Sequence, residues 1–196
     1  MSNIVDPLVG RIAARVRAER ERRGWTLTQL AEASGVSRAM INRIERGESN
    51  PTAVVLGKLS AAFRLSVSSL LALAEGESHA AAVAGGVRRH EDTAEWRDPA
   101  TGYRRRQITG PHFPVETAEI RLPAGANVAY PAASFAFARQ VVWVLEGHLT
   151  FHEGSVVHAL GPGDTVELGE PAPCAFANDT DTECRYVVIR AQAEQP

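Results

Sequence analysis

The chain has 196 residues, of which 44% are apolar and 22% charged, and its formal net charge is −2. That length holds one large domain or two modest ones with a normal core, and no apolar run approaches the roughly 18 residues of a membrane span. The N-terminus MSNIVDPLVGRIAARVRAE is charged early and lacks a secretory core segment. Two cysteines do not make a secreted disulfide scaffold, so a cytoplasmic protein is expected. Charge is unevenly spread: residues 1–74 hold 11 Lys+Arg against 6 Asp+Glu, net +5, and residues 75–196 hold 10 against 17, net −7. A basic first third suits a polyanion partner, and the acidic remainder confines that footprint to the N-terminal part.

In chain order, Val9 to Arg23 is expected to be a helix with Val9, Ile12, Ala13 and Val16 on its apolar face. Gly24 ends it and Trp25 packs into a small core. Leu27 to Gly47 then reads as two short helices and a tight turn. Thr26 and Thr28 offer hydroxyls to the first helix start, Gly35 suits a left-handed turn, and Ser37 suits the N-cap of the second helix. Met40, Ile41 and Ile44 form that helix's apolar stripe, with Arg38, Asn42, Arg43 and Arg46 off it. Asn50-Pro51 is a turn signal, Thr52 can cap a helix from Ala53 to Phe63, and Val67 to Leu73 makes a last short helix.

The placing of Ala31, Gly35, Ile41 and Ile44, with the ending IERGESNPT, resembles the helix-turn-helix of the phage-repressor (XRE) family of DNA-binding proteins. The resemblance covers about Val9 to Leu73; the alternative is an ordinary helical hairpin in a small bundle. It implies a five-helix DNA-binding head in which Arg38, Ala39, Asn42 and Arg43 face base edges. Chemically, Arg suits guanine O6/N7, Asn suits adenine N6/N7 and Ala can touch a thymine methyl. Ser37 stands at the start of that helix beside them. Gln29 is expected at the phosphate backbone, and Arg46, Ser49, Asn50 and Thr52 are further phosphate candidates. Glu45 is expected to pair within the head, since phosphate repels it.

Glu75 to Gly86, EGESHAAAVAGG, reads as a linker with a possible helical turn at Ala80 to Ala84. It divides the chain into a head (1–74), a linker (75–86) and a second domain (87–196). Beyond Val87 the pattern shifts towards period 2. Tyr103 to Ile108, Val115 to Leu122, Val141 to Leu145, Leu149 to Phe151, Thr165 to Leu168 and Arg185 to Ile189 read as strands between Gly and Pro turns. Such a series indicates an antiparallel sandwich or barrel. VVWVLEGHLTF, LGPGDTVEL and APCAFAN, in that order, are similar to the cupin family over about Glu116 to Ala191. The fold expected is therefore two-domain: an all-α five-helix helix-turn-helix head and an all-β cupin (double-stranded β-helix, jelly-roll) barrel. That combination resembles bacterial one-component transcription regulators.

The resemblance also locates the positions at which metal-binding cupins carry two His, a Glu and a later His. Here they fall at Ser134, Ala136, Gln140 and Cys174, none of them the usual ligand. No metal, cofactor or catalytic residue is therefore expected. A three-histidine site from His148, His152 and His158 is the alternative, with His148 and His152 on one face of one strand. Small residues in place of ligands leave room for a small organic effector. The expected lining is Phe135 or Phe137, Ala136, Val142, Val144 and Phe176, with Tyr130, Ser134, Gln140, Cys174 and Arg104 or Arg106 as polar contacts. A filled barrel that only dimerises is the competing reading. Cys174 and Cys184 flank a turn-like NDTDT, and a hairpin centred there would face their sulfurs as a redox switch.

These features together imply a dimeric, sequence-specific transcription regulator on a palindromic operator, with a barrel that responds to a small molecule. The alternatives are an autoregulated repressor whose barrel only dimerises, and a cupin enzyme with a regulatory head.

Overall fold

The computed structural model describes residues 7–75, 87–110, 113–136 and 138–192. Residues 76–86 of the expected linker, including its helical turn, and Phe137 lie outside the described residues.

Five helices come first: α1 (Pro7–Arg22), α2 (Leu27–Ser34), α3 (Arg38–Glu45), α4 (Ala53–Ala62) and α5 (Val67–Glu75). Pro7 opens α1, where its missing N–H costs nothing. Thr26 and Gln29 close a reciprocal capping box on α2, and Gly35 ends that helix at φ 65°, a conformation that glycine adopts without a Cβ clash. Ser37 caps α3 by accepting from Met40 N, and Thr52 caps α4 by accepting from Val55 N. Ile12, Val16, Leu30, Ile41, Ile44, Leu56, Leu59, Phe63 and Leu70 form the buried centre of the head. Trp25 stacks on Phe63 at 6.4 Å, and the Arg23 guanidinium lies 4.9 Å over the Phe63 ring.

Among the described residues, ten strands follow in two facing antiparallel sheets. One has the order β1-β2-β3-β10-β5-β8 and the other β4-β9-β6-β7. The first sheet holds β1 (Glu95–Arg97), β2 (Arg104–Gln107), β3 (Val115–Leu122), β5 (Ala138–Glu146), β8 (Thr165–Glu167) and β10 (Cys184–Gln192). The second holds β4 (Asn127–Tyr130), β6 (Leu149–Glu153), β7 (Val156–Leu160) and β9 (Cys174–Ala177). Tyr186 of β10 lies between Ile120 of β3 and Val144 of β5, so all three side chains enter the barrel. Phe151 and Phe176 meet them from the other sheet, their rings 4.8 Å apart. Gly147, in the β5–β6 turn, has φ 74°, and a Cβ there would stand 2.7 Å from the Glu183 carbonyl oxygen. Both the backbone angle and the close approach require glycine.

The head rests directly on the barrel. Gly57 of α4 lies against the Tyr130 ring, and a Cβ added there would come within 2.6 Å of the ring edge. Asn50 donates to the Arg97 carbonyl and accepts from Trp96 Nε1 at 3.2 Å. Ser66 and Ser69 at the start of α5 donate to the Glu116 carboxylate of β3.

Four strands lie outside the sequence expectation: β1, β4, β7 and β9. β1, EWR, has three residues; β4 and β9, NVAY and CAFA, have four and few β-branched side chains, so their strand geometry comes from pairing with each other and with β2 and β6. Cys174 and Cys184 are not the arms of one hairpin. Cys174 opens β9 in one sheet and Cys184 opens β10 in the other. Both thiols are buried and free, and burial pushes each up to about 11, which suppresses the reactive thiolate.

Candidate functional site

Two surfaces carry chemistry. The first is the outward face of α3. Ile41 and Ile44 anchor this helix in the core, and helical spacing then turns Arg38, Ala39, Asn42 and Arg43 outward, all four exposed. Beneath them Glu45 accepts two hydrogen bonds from the Arg20 guanidinium, at 2.7 and 2.8 Å. The carboxylate is thereby held inside the head and off the outward face.

The flanking residues divide. Gln29 is exposed at the start of α2, but its side-chain oxygen accepts from Thr26 N at 2.8 Å as part of the cap. Ser37 is the α3 cap. Arg46 is exposed and pairs with Glu48 at 2.6 Å, and Ser49 is half-buried. Thr52 uses its hydroxyl oxygen on Val55 N. Asn50 departs from expectation: both ends of its amide are engaged by Trp96 and Arg97 of the barrel, so it ties the two units together and does not reach outward.

The second surface is a cavity of about 40 Å³ inside the barrel mouth. Tyr130, Ser134, Phe135, Gln140 and Phe176 line it. Tyr103, Arg105, Tyr186, Val188 and Arg190 complete the barrel side, and Ser66, Val67 and Ser68 of the head close it from above. Arg105 Nη1 donates to Tyr103 Oη at 3.0 Å and Nη2 donates to Ser68 Oγ. Tyr130 Oη is buried close to Tyr103 without a well-formed hydrogen bond. Burial, with the neighbouring Tyr103, pushes the Tyr130 and Tyr186 hydroxyls well above their ordinary range, so both stay neutral. Burial lowers the Arg190 guanidinium; the Glu116 carboxylate opposes that and Arg105 adds to it.

Arg104 and Arg106 do not reach this cavity. Alternation along β2 sends them to the outer face, where Arg104 pairs with Glu183 at 2.7 Å and Arg106 with Glu119 at 2.6 Å. The inward members are Arg105 and Gln107. Val142 and Val144 are buried in the core behind the cavity, Cys174 donates to the Ala172 carbonyl instead, and Ala136 is exposed. Arg190 of β10, Ser66 and Ser68 carry no motif, and only the docking of the head brings the two serines in.

The histidines do not converge. His158 pairs across from Phe151 and stacks on it at 5.9 Å, on the inward side. His152 lies on the opposite face of β6, with His148 in the same phase. Among the described residues, no three His, Cys, Asp or Glu side chains group as metal ligands.

Residues 16–70 match the helix-turn-helix family HTH_3. This segment is a helix-turn-helix domain. This domain is 46% identical over 52 residues to the HTH-type transcriptional regulator SutR of Escherichia coli K12, covering 26% of this chain and 29% of SutR. It is 41% identical over 64 residues to the competence pilus inhibition repressor of Acinetobacter baylyi, covering 33% of this chain and 58% of the relative. It is 38% identical over 61 residues to SinR of Bacillus subtilis 168, covering 31% and 55%. The chain thus spans between 29% and 58% of the length of these curated relatives. Over the whole fold it is similar to the crystal structure of an HTH_3-family transcriptional regulator from Vibrio cholerae, with a TM-score of 0.75 at 22% identity, covering 96% of this chain and 100% of that one. The helix-turn-helix domain is followed by the two antiparallel sheets of the barrel. No single helix among the described residues is long and apolar enough to cross a membrane.

Proposed function

We propose that this protein is a sequence-specific DNA-binding transcription regulator that acts as a dimer and answers to a small molecule in its cupin barrel. The observation that carries the reading is the outward face of α3, which presents Arg38, Ala39, Asn42 and Arg43 together on a helix anchored by Ile41 and Ile44. Two guanidiniums and an amide on one exposed face match the acceptors and donors of the major groove. Arg46, Ser49 and the cap residues Gln29, Ser37 and Thr52 stand around it as backbone contacts. A single head buries too little surface for strong specificity, so two heads read half-sites about one helical turn apart on a near-palindrome. The reading contains no catalytic step: the relatives of the head are transcriptional regulators by name, and Ser134, Ala136 and Gln140 are poor metal ligands.

Capture of genomic fragments by the purified protein at near-physiological salt, followed by sequencing, tests this. The wild type is expected to enrich a palindrome. Arg38→Ala and Arg43→Ala are each expected to weaken binding to it by about 1–3 kcal/mol. Affinity unchanged in both variants would remove α3 as the reading helix.

The small cavity, about 40 Å³, favours a second reading in which the barrel only dimerises. A thermal-shift screen of small molecules separates the two, since a bound effector stabilises the folded state by mass action.

A further inference from the structure

The cavity wall holds a positive charge, on Arg105, that no carboxylate among the described residues answers. Arg105 is 8% exposed, and among the described residues its guanidinium donates only to two neutral hydroxyls, those of Tyr103 and Ser68, while its Nε has no partner. The surrounding acids are engaged elsewhere. Glu116 accepts from Ser66 and Ser69 and acts on Arg190. Asp98 accepts from Ala100 N and from Thr101 Oγ1 within its own turn. A second guanidinium, Arg190, lines the same cavity. A buried charge without a counter-ion is costly, and a bound anion offsets that cost.

We propose that the cavity binds a small carboxylate, that Arg105 is its charge partner, and that Ser68 of α5 is the group it displaces. The inference rests on the effector reading above and names the effector's class. A planar carboxylate fits the fork of one guanidinium with two parallel hydrogen bonds. Tyr130 Oη, buried without a well-formed hydrogen bond, supplies a further neutral donor, and the Phe176 and Tyr186 rings, stacked at 5.7 Å, give an apolar wall for a short carbon tail. The volume of about 40 Å³ limits the anion to a few heavy atoms unless α5 moves. Movement of α5 is the coupling: Ser68 belongs to the last helix of the head, so an anion that takes over Nη2 removes one bond between head and barrel and favours a different head placement.

The test uses the full-length protein, thermal melting and calorimetric titration. The probe is sodium propionate, with propionamide and sodium chloride at matched ionic strength as neutral and salt controls and sodium phosphate as the other anion. Propionate is expected to raise the wild-type Tm while propionamide and chloride do not. Arg105→Met is expected to lose propionate affinity by about tenfold or more. Ligand-free Arg105→Met is expected to melt no lower than wild type, because an apolar stem replaces an unanswered charge. Equal propionate responses in the two proteins, no response at millimolar propionate, or a preference for phosphate would each overturn the proposal. So would a ligand-free Arg105→Met that melts well below wild type, since Arg105 would then be structural. DNA capture is read separately: an operator without a propionate response removes the carboxylate site alone, and a propionate response without an operator removes the regulator reading alone.

Discussion

Glu19 lies 1% exposed on α1, beneath three guanidiniums. Arg15 donates to it, Arg22 stands at 2.6 Å and Arg23 at 2.5 Å. Burial alone would raise this carboxyl, but the Arg23 hydrogen bond and the three positive charges outweigh it and hold the group below the usual carboxylate range. A carboxyl lowered in the folded state stabilises the fold at pH values above its unfolded pKa. That contribution is lost as pH falls through the folded value. Glu19→Gln is therefore expected to cost about 1.5–3 kcal/mol at neutral pH, and the difference from wild type should shrink below the ordinary carboxylate range. Denaturant melts across the acid limb check it; a pH-independent difference would show that packing, not charge, is lost. Nothing in the amphipathic pattern announces this residue, because Glu19 falls where an apolar side chain would extend the stripe of Ile12 and Val16. Its burial is intelligible only once Arg15, Arg22 and Arg23 are seen to enclose it. Arg105 is a similar case, hidden in a run of three arginines whose members differ only in which face of β2 they occupy.

At the scale of elements, the helical half was largely legible. Caps at Thr26, Ser37 and Thr52, the break at Gly35 and the stripe Ile41–Ile44 are local signals, and each is present in the structure. The sheets were legible where strands are long and β-branched, as in β3, β5 and β10. They were not where three or four residues are held by partners, as in β1, β4 and β9, because a strand that short is specified by its neighbours. Gly57 shows the same limit within a helix. By intrinsic propensity, alanine there should stabilise α4 by about 1 kcal/mol. In the folded chain its methyl would meet the ring edge of the half-buried Tyr130 at 2.6 Å, too close without displacement of the ring. Gly57→Ala is expected to destabilise by about 1–3 kcal/mol. In a Tyr130→Ala background the same substitution should become neutral or stabilising. A double-mutant cycle by chemical denaturation measures the reversal, and an equally harmful Gly57→Ala in both backgrounds would place the strain inside the head.

On the scale of the whole molecule, the sequence divides the chain cleanly by composition and period, yet says nothing of how the parts meet. Contact between them comes from Asn50 on Trp96 and Arg97, Ser68 on Arg105, Ser66 and Ser69 on Glu116, and Gly57 on Tyr130. On the head side the residues involved are serine, asparagine and glycine, types whose partners cannot be deduced from pattern. Because these bonds join the two cores directly, head and barrel are expected to unfold as one cooperative unit. Scanning calorimetry should give a single transition. Fluorescence melts that follow Trp25 in the head and Trp96 in the barrel, each in a variant lacking the other tryptophans, should coincide with it. Two separated transitions would mean that the docked arrangement contributes little energy.

The cavity beneath α5 has one wall that belongs to the other half of the chain. Ser66, Val67 and Ser68 are as much a part of it as Tyr103 or Phe176. A barrel without the head would lack the wall that Ser66, Val67 and Ser68 supply. A chimaera that grafts it onto a foreign reader would inherit the shell without the lid. Modularity in this architecture therefore stops at α5: the unit to transplant is the barrel together with the helix that closes it.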